Sequence, residues 1–238
     1  MRALQITKPW RVPVHRQQAW PADSVADSRG VRQPPNDLHP VDGQPPLPDL
    51  LEVPVPDAMR DFLVAWTPEQ LATRADEAID VLAEATGYGP AMREGSRRQL
   101  VEHLTMPGFR AVAILGPLAD IVGFGYGYLC RPGQRWRDWA AGAMPVVADR
   151  RRWLDDACTV TELQVRPACQ GRGLGEAMLR GMLSSAGTRT AVLSTAETAE
   201  ARSRAWRLYR RMGFRDVRRG LRCPGDPRAF AILGRDLP

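Results

Sequence analysis

Apolar residues are scattered over the first fifty positions, then fall into short regular patterns from Phe62 onward. "FLVAW" predicts a short strand. "TPEQLATRADEAIDVLAEATGYG" carries Leu71, Ala75, Ile79 and Leu82 at helical spacing. Thr67 stands as its N-cap, Pro68 at the first helical position and Gly87 as its stop. "GSRRQLVEHLTM" predicts a second, short helix. "RAVAILG" and "DIVGFGYGYLC" predict two strands joined by a tight Gly-Pro turn, an antiparallel hairpin. In the second strand Gly123, Gly125 and Gly127 alternate with Phe124, Tyr126 and Tyr128. One face is therefore bare and the other aromatic, and the bare face suits close helix packing or contact with a substrate.

An arginine- and tryptophan-rich connection, "RPGQRWRDWAAGAMPVVADRRRWLDD", leads into a strand over Val160–Val165, a loop, and a helix over Leu174–Ser185. "TAVLST" predicts another strand, "AEARSRAWRLYRRM" another helix, and "GFRDVRR" and "AFAILGRDL" two last strands. Hairpins and helical crossovers both occur. The pattern predicts an α/β chain, a mixed sheet with helices on both faces. Residues 1–50 hold nine prolines, and "VRQPPNDLHPVDGQPPLPDL" reads as extended chain. The expected organisation is a proline-rich arm or linker over 1–57 and a single domain over 58–238.

Composition narrows the class. No apolar run in the 238 residues approaches the ~18–20 that a membrane span needs, and no secretion signal is read in "MRALQITKPWRVPVHRQQAW". A cytoplasmic protein without a membrane partner is expected. Cys130, Cys158, Cys169 and Cys223 lack metal-ligand spacing, so free thiols and no metal are expected. The net charge of +6 is uneven: residues 151–238 hold 17 arginines against 9 acids, while residues 51–150 hold 10 against 13. A phosphate-bearing ligand, a nucleic acid or a solvated arginine-rich helix would each account for the basic half.

Within that half, "VTELQVRPACQGRGLGEAML" places three alternating glycines directly before a helix. Three such residues are costly in backbone entropy unless a ligand must lie against bare backbone. The dinucleotide pattern G-x-G-x-x-G fails, because the sixth position is Glu176 or Met178 depending on the start. The P-loop pattern fails too, since the only lysine is Lys8. What does match is Gln/Arg-x-x-Gly-x-Gly/Ala, in Gln170-Gly171-Arg172-Gly173-Leu174-Gly175. Amides of such a loop and of the following helix N-terminus can hold a pyrophosphate.

With that loop, with "LQVRP" before it and with Tyr209-x-x-x-Gly213-Phe214 after it, the chain resembles the GCN5-related N-acetyltransferase (GNAT) superfamily from about Asp61 to Pro238. The resemblance implies an acyl-CoA N-acyltransferase fold with a central mixed, mostly antiparallel sheet flanked by helices. It implies acetyl-CoA, or a related acyl-CoA, as donor. The amides of Gln170, Gly171, Arg172, Gly173, Leu174 and Gly175 would hold the pyrophosphate. The family's fourth and fifth strands splay apart to admit the pantetheine, so Leu163 and Val165 would offer it backbone groups. Arg202 departs from the pattern, standing where the family commonly has an asparagine; an arginine there can still reach a phosphate.

Glu162 is a candidate general base, directly or through water, or else one half of a structural salt bridge. Tyr209 is a candidate acid for the departing thiolate, or else a core tyrosine. His103 reads as an ordinary half-buried helical residue, which leaves serine or cysteine hydrolase chemistry without its base. Trp136, Trp139 and Trp153, followed by Asp155 and Asp156, suit rim packing or an aromatic wall that receives a cationic amine. The function expected is direct acetyl transfer from acetyl-CoA to a small-molecule or peptide amine. The alternative is a module of the same fold that binds acyl-CoA or nucleic acid without catalysis; no nucleic-acid-binding signature supports the latter. A homodimer is left open.

Overall fold

The computed structural model describes residues 63–197, 203–223 and 226–238. The proline-rich arm and Arg202 lie outside them. The chain begins with β1 (Leu63–Trp66), α1 (Pro68–Thr73), α2 (Ala75–Thr86) and α3 (Pro90–Leu104), then the hairpin of β2 (Arg110–Leu115) and β3 (Ile121–Gly127). Next come α4 (Arg135–Ala143), α5 (Val147–Leu154), β4 (Ala157–Thr159) and β5 (Glu162–Val165). A 3-10 turn (Pro167–Cys169) precedes α6 (Leu174–Ser184), β6 (Thr190–Ala196), α7 (Arg204–Arg211), β7 (Arg215–Cys223) and β8 (Asp226–Asp236).

Local chemistry explains most boundaries. Thr67 and Gln70 form a reciprocal capping box, with Gln70 N–H on Thr67 Oγ1 at 3.3 Å and Thr67 N–H on Gln70 Oε1 at 2.8 Å. The expected single helix is two, broken at Arg74, whose φ of −116° leaves the helical region. Its guanidinium is spent on Glu77 and on the Ala119 carbonyl across the fold. Gly87 closes α2 in the left-handed region at φ +72°. α3 is longer than its apolar pattern suggests, because Pro90 starts it a turn early. The tryptophan-rich connection contains two helices that no clean apolar stripe announces. They are held by Trp136, Met144, Trp153 and Leu154 packing on Val192 and Ile232.

Two four-stranded sheets result, in the orders β1-β2-β3-β5 and β4-β6-β8-β7. Every pairing is antiparallel except β4 with β6. The mixed, mostly antiparallel expectation holds; the single strand expected over Val160–Val165 does not. The strand there starts only at Glu162, and a separate β4 ends at Thr159 before it, because the chain carries a bulge between the two. Cys158 lies opposite Leu129 and Glu162 opposite Tyr126, so four steps on one strand face three on the other. The extra residue turns the chain. Before the bulge, Cys158 and Val160 face α6 and α7; after it, Leu163 and Val165 do. Glu162 is thereby turned to the other face, where Phe124 and Tyr126 pack under α2 and α3.

The glycine face of β3 meets α6. A methyl on Gly123 would come within 2.9 Å of the Gln164 carbonyl and 3.1 Å of Met178 Cε. One on Gly125 would stand 3.0 Å from the Glu162 carbonyl and 3.1 Å from Met182 Sδ. Close packing by a helix and by the next strand is thus what these glycines serve.

Candidate active site

The bulge opens the sheet. β4 pairs in parallel with β6 up to Val160, whose N–H donates to Val192 at 2.9 Å. Beyond that bond β5 is the edge of its sheet and β6 continues along β8 alone. Arg166 donates its N–H to Val122 at 2.9 Å, so alternate residues Gln164 and Glu162 direct their backbone groups to β3. Leu163 and Val165 direct theirs into the opening. An edge of unpaired donors and acceptors is a template for another extended chain or an amide-bearing ligand.

At the end of β5 the loop turns into α6. Gln170 spans it, its Nε2 donating to the Val165 carbonyl at 3.0 Å and its Oε1 accepting from Arg204 at 3.1 Å. Gly171 and Gly173 both sit in the left-handed region, at φ +83° and +81°, where a side chain costs about 1–2 kcal/mol. A side chain on Gly171 would meet no protein atom within 4 Å, so that space lies open. No side chain caps α6, and its first-turn amides point out at the loop. Gly175 has a different reason: a methyl there would press on Leu208 Cδ2 at 3.3 Å, so it lets α6 and α7 pack closely. Arg172 is exposed and reaches back only to the Ala168 carbonyl, at 3.4 Å. Leu174 is buried in the core.

Glu162 and Tyr209 approach the opening from opposite faces of the sheet. Glu162 is 5 % exposed and accepts from Gln164 Nε2 at 2.9 Å. Among the described residues it has no cationic partner, so the salt-bridge alternative fails. Burial pushes its carboxyl up to about 8, with the Gln164 hydrogen bond pulling it partly back. Tyr209, on α7, is fully buried and meets Phe214 edge-on with ring centroids 5.8 Å apart. Burial, and then the nearby Glu162 charge, hold its phenol well above the usual range. Its ring belongs to the core, and among the described residues its Oη has no hydrogen-bond partner. Gln164 Oε1 and Thr195 Oγ1 share that condition. A buried polar atom left unpaired costs about 1–3 kcal/mol, so a partner that is no part of the described residues would relieve Tyr209.

Other expectations change. His103 is not merely half-buried: its Nδ1 lies 3.1 Å from Tyr126 Oη and its Nε2 3.5 Å from Tyr128 Oη. Nothing in the sequence pattern marks Gln164, Thr195 or this cluster as a group; only the alternation Glu162-x-Gln164 hints at two polar side chains on one face. The aromatic-wall idea fails. Trp136 is buried and donates to Ser194 at 3.0 Å, Trp153 is buried on the same face, and Asp155 and Asp156 pair with Arg137 and Arg189. The basic half is largely used internally, with Arg210 and Arg219 on Asp216, Arg211 on Glu176, and Arg215 on Asp236. Among the described residues no helix is long and apolar enough to cross a membrane.

Comparison with known proteins agrees with this geometry. Residues 120–216 match the model of the acetyltransferase (GNAT) domain. A GCN5-like protein acetyltransferase of Mycobacterium tuberculosis, Rv2170, is 36 % identical over 207 residues, covering 76 % of this chain and all of the relative. A GNAT-family structure from Desulfovibrio desulfuricans superposes with a TM-score of 0.54 at 16 % identity, over 73 % of this chain and 97 % of that one. The ribosomal-protein-S18-alanine N-acetyltransferase of Escherichia coli gives 0.50 at 16 % identity, over 74 % and 94 %. These last two speak for the fold alone. With a sheet that opens beside a glycine loop and with a relative aligned over its whole length, the chain belongs to the GCN5-related N-acetyltransferase family.

Proposed function

We propose that this protein transfers an acetyl group from acetyl-CoA directly to an amine on a peptide or protein. The observation that carries the proposal is the placing of Glu162 and Tyr209 on the two sides of one opening, each buried and each with little to bind inside the protein. Acetyl-CoA, when bound, supplies a thioester carbon open to attack and a thiolate as leaving group. The residues present fit it: left-handed glycines and an uncapped helix suit its pyrophosphate, and the edge of β5 suits its amide-bearing arm.

In this scheme the amides of Gln170 to Gly175 hold the pyrophosphate. Leu163 and Val165 bind the amide-bearing arm through their backbone, and the Val165 N–H polarises the carbonyl. Glu162 takes a proton from the attacking amine, for which a carboxyl at about 8 is well matched to neutral solution. Tyr209 gives its proton to the departing sulfur. Cys169 takes no covalent part, because His103, the sole histidine of the described residues, is committed to two tyrosines. A peptide or protein amine as acceptor is supported by the name of the mycobacterial relative. No metal enters the scheme.

A thiol-release assay with acetyl-CoA and lysine-bearing peptides, run beside small primary amines, tests this. We expect release with the peptides. Release only with small amines would move the acceptor class, release only with longer acyl donors would move the donor, and CoA binding without any release would leave a binding module.

A further inference from the structure

The catalytic scheme above leaves unused the most extensive buried polar cluster of the described chain. Tyr126 and Tyr128 are 3 % and 2 % exposed, and His103 from α3 is 8 % exposed. The imidazole stands between the two phenols, Nδ1 toward Tyr126 at 3.1 Å and Nε2 toward Tyr128 at 3.5 Å. Tyr126 lies directly opposite Glu162 across the β3–β5 ladder, on the same face, and the two line one cleft under α2 and α3. Tyr128 is hydrogen-bonded in turn to Thr161, a partly exposed residue whose hydroxyl lies 3.0 Å from that of Thr159. Tyr126, His103, Tyr128 and Thr161 thus form a file that begins opposite Glu162 and ends at the surface.

Resting on the acetyl-transfer proposal, we infer that His103 is a proton-relay residue. It carries the proton taken up by Glu162 out of the site, receiving through Tyr126 and passing on through Tyr128. The need is physical. With donor and acceptor filling the opening from both faces, a carboxyl this deeply buried has no open water to shed its proton into. The balance is simple. Glu162 gives one proton to Tyr126 Oη through one bridging water. Tyr126 gives its own to Nδ1, Nε2 releases one to Tyr128, and Tyr128 releases one toward Thr161 and solvent. Each link ends with as many protons as it began, no electrons change hands, and a flip of the ring between turnovers restores the starting tautomer.

Such transit needs a neutral imidazole, one nitrogen accepting and one donating. Burial, and then the charge of Arg135, push His103 down to about 4, so the ring is neutral throughout the working range. The ionisable groups around it are Tyr126 and Tyr128 from β3 and its extension, Arg135 from α4, and Glu162 beyond Tyr126. The tyrosines are held well above their usual range by burial first, so they act as neutral hydroxyls.

The test is steady-state thiol release with acetyl-CoA and a mixture of lysine-bearing peptides. His103→Gln keeps a side chain able to hydrogen-bond both phenols but unable to pass a proton by changing tautomer. We expect kcat to fall about ten-fold with the acetyl-CoA KM unchanged, and the solvent deuterium isotope effect on kcat to rise. Tyr128→Phe should show the same fall, and the double variant no further one. A kcat and pH profile equal to the parent's would overturn the relay. So would a fall that leaves the solvent isotope effect unchanged and is additive with Tyr128→Phe, the mark of a packing role. Should His103→Gln fail to fold, Tyr128→Phe decides alone, and an unchanged kcat there overturns the idea. A parent protein that releases no thiol overturns the acetyl-transfer proposal and the relay with it; an active parent with indifferent variants overturns the relay only.

Discussion

Gln170 reaches back from the glycine loop to Val165, its Nε2 donating to the strand carbonyl at 3.0 Å while its Oε1 holds Arg204 at 3.1 Å. One half-buried side chain therefore sets the end of β5, the loop and the start of α7 relative to each other. Gln170→Ala removes both bonds. Each is worth about 0.5–1.5 kcal/mol, and the loop gains freedom that CoA binding must then remove. We expect CoA affinity to fall by roughly ten-fold in calorimetry, with the melting temperature lowered by a few degrees. An unchanged affinity would detach the loop from the cofactor.

The loop glycines can be tested apart from the fold. Gly171 has φ +83°, and a methyl placed on it meets no protein atom within 4 Å. Gly171→Ala should cost about 1–2 kcal/mol of stability through backbone strain alone. Gly171→Asp carries similar strain and adds a negative charge. If a pyrophosphate lies there, the aspartate variant should bind CoA at least ten-fold more weakly than the alanine variant at low salt. Equal affinities of the two variants would show that no anion occupies this place.

Glu162 gives opposite signs for activity and stability. As a base it works only when ionised, so kcat should rise with pH and level off above about 8. Glu162→Gln should lower kcat by roughly 10²–10⁴-fold and flatten that rise. Stability runs the other way. Its folded-state value is raised from 4.5 to about 8, so the folded protein binds the extra proton. The stability this contributes is complete below pH 4.5 and is lost as pH rises through 8. Relative to the parent, Glu162→Gln should therefore gain melting temperature between pH 5 and 9. A variant that is both active and less stable would mark Glu162 as structural.

Legibility in the sequence followed the range of the forces involved. Gly171 and Gly173 announce themselves because a left-handed backbone is a constraint on single residues. Thr67, Pro68 and Gly87 bracket their helices for the same local reason. The bulge before Glu162 left no local mark, because it is a mismatch of register between two strands separated by some thirty residues. Without it Glu162 would be placed on the wrong face. α4 and α5 were hidden because arginines interrupt their apolar positions, and Trp136 and Trp153 are buried only once β6 and β8 lie beneath them. His103 and Tyr126 are 23 positions apart and meet only through the packing of α3 on β3. A lone histidine on a helix cannot reveal that.

Tyr209 offers the most decisive measurement, because its two roles predict different things. Its ring is fully buried against Phe214, and its hydroxyl is buried without a hydrogen-bond partner among the described residues. Tyr209→Phe keeps the ring and deletes only the oxygen. A hydroxyl that bonded within the core would be missed, at a cost of about 1 kcal/mol. One that waits for a ligand would not be, and relief of its buried, unpaired state should leave the melting temperature equal or slightly higher. For catalysis, a thiol near 8.5 and a phenol near 10 make proton transfer uphill in water. Burial, and then the Glu162 charge, raise the phenol further, which deepens that deficit. The transfer becomes favourable only as negative charge gathers on a sulfur desolvated in the same opening, where the O–H···S⁻ bond is strong. The acid is therefore held in reserve until the C–S bond breaks. We expect kcat in Tyr209→Phe to fall by roughly 10²–10⁴-fold while CoA affinity and fold stay intact. Single-turnover thiol release, CoA calorimetry and a melting curve on the same preparation read all three. Full activity would mean that water protonates the sulfur, and a lowered melting temperature with proportionate loss of activity would return Tyr209 to the core.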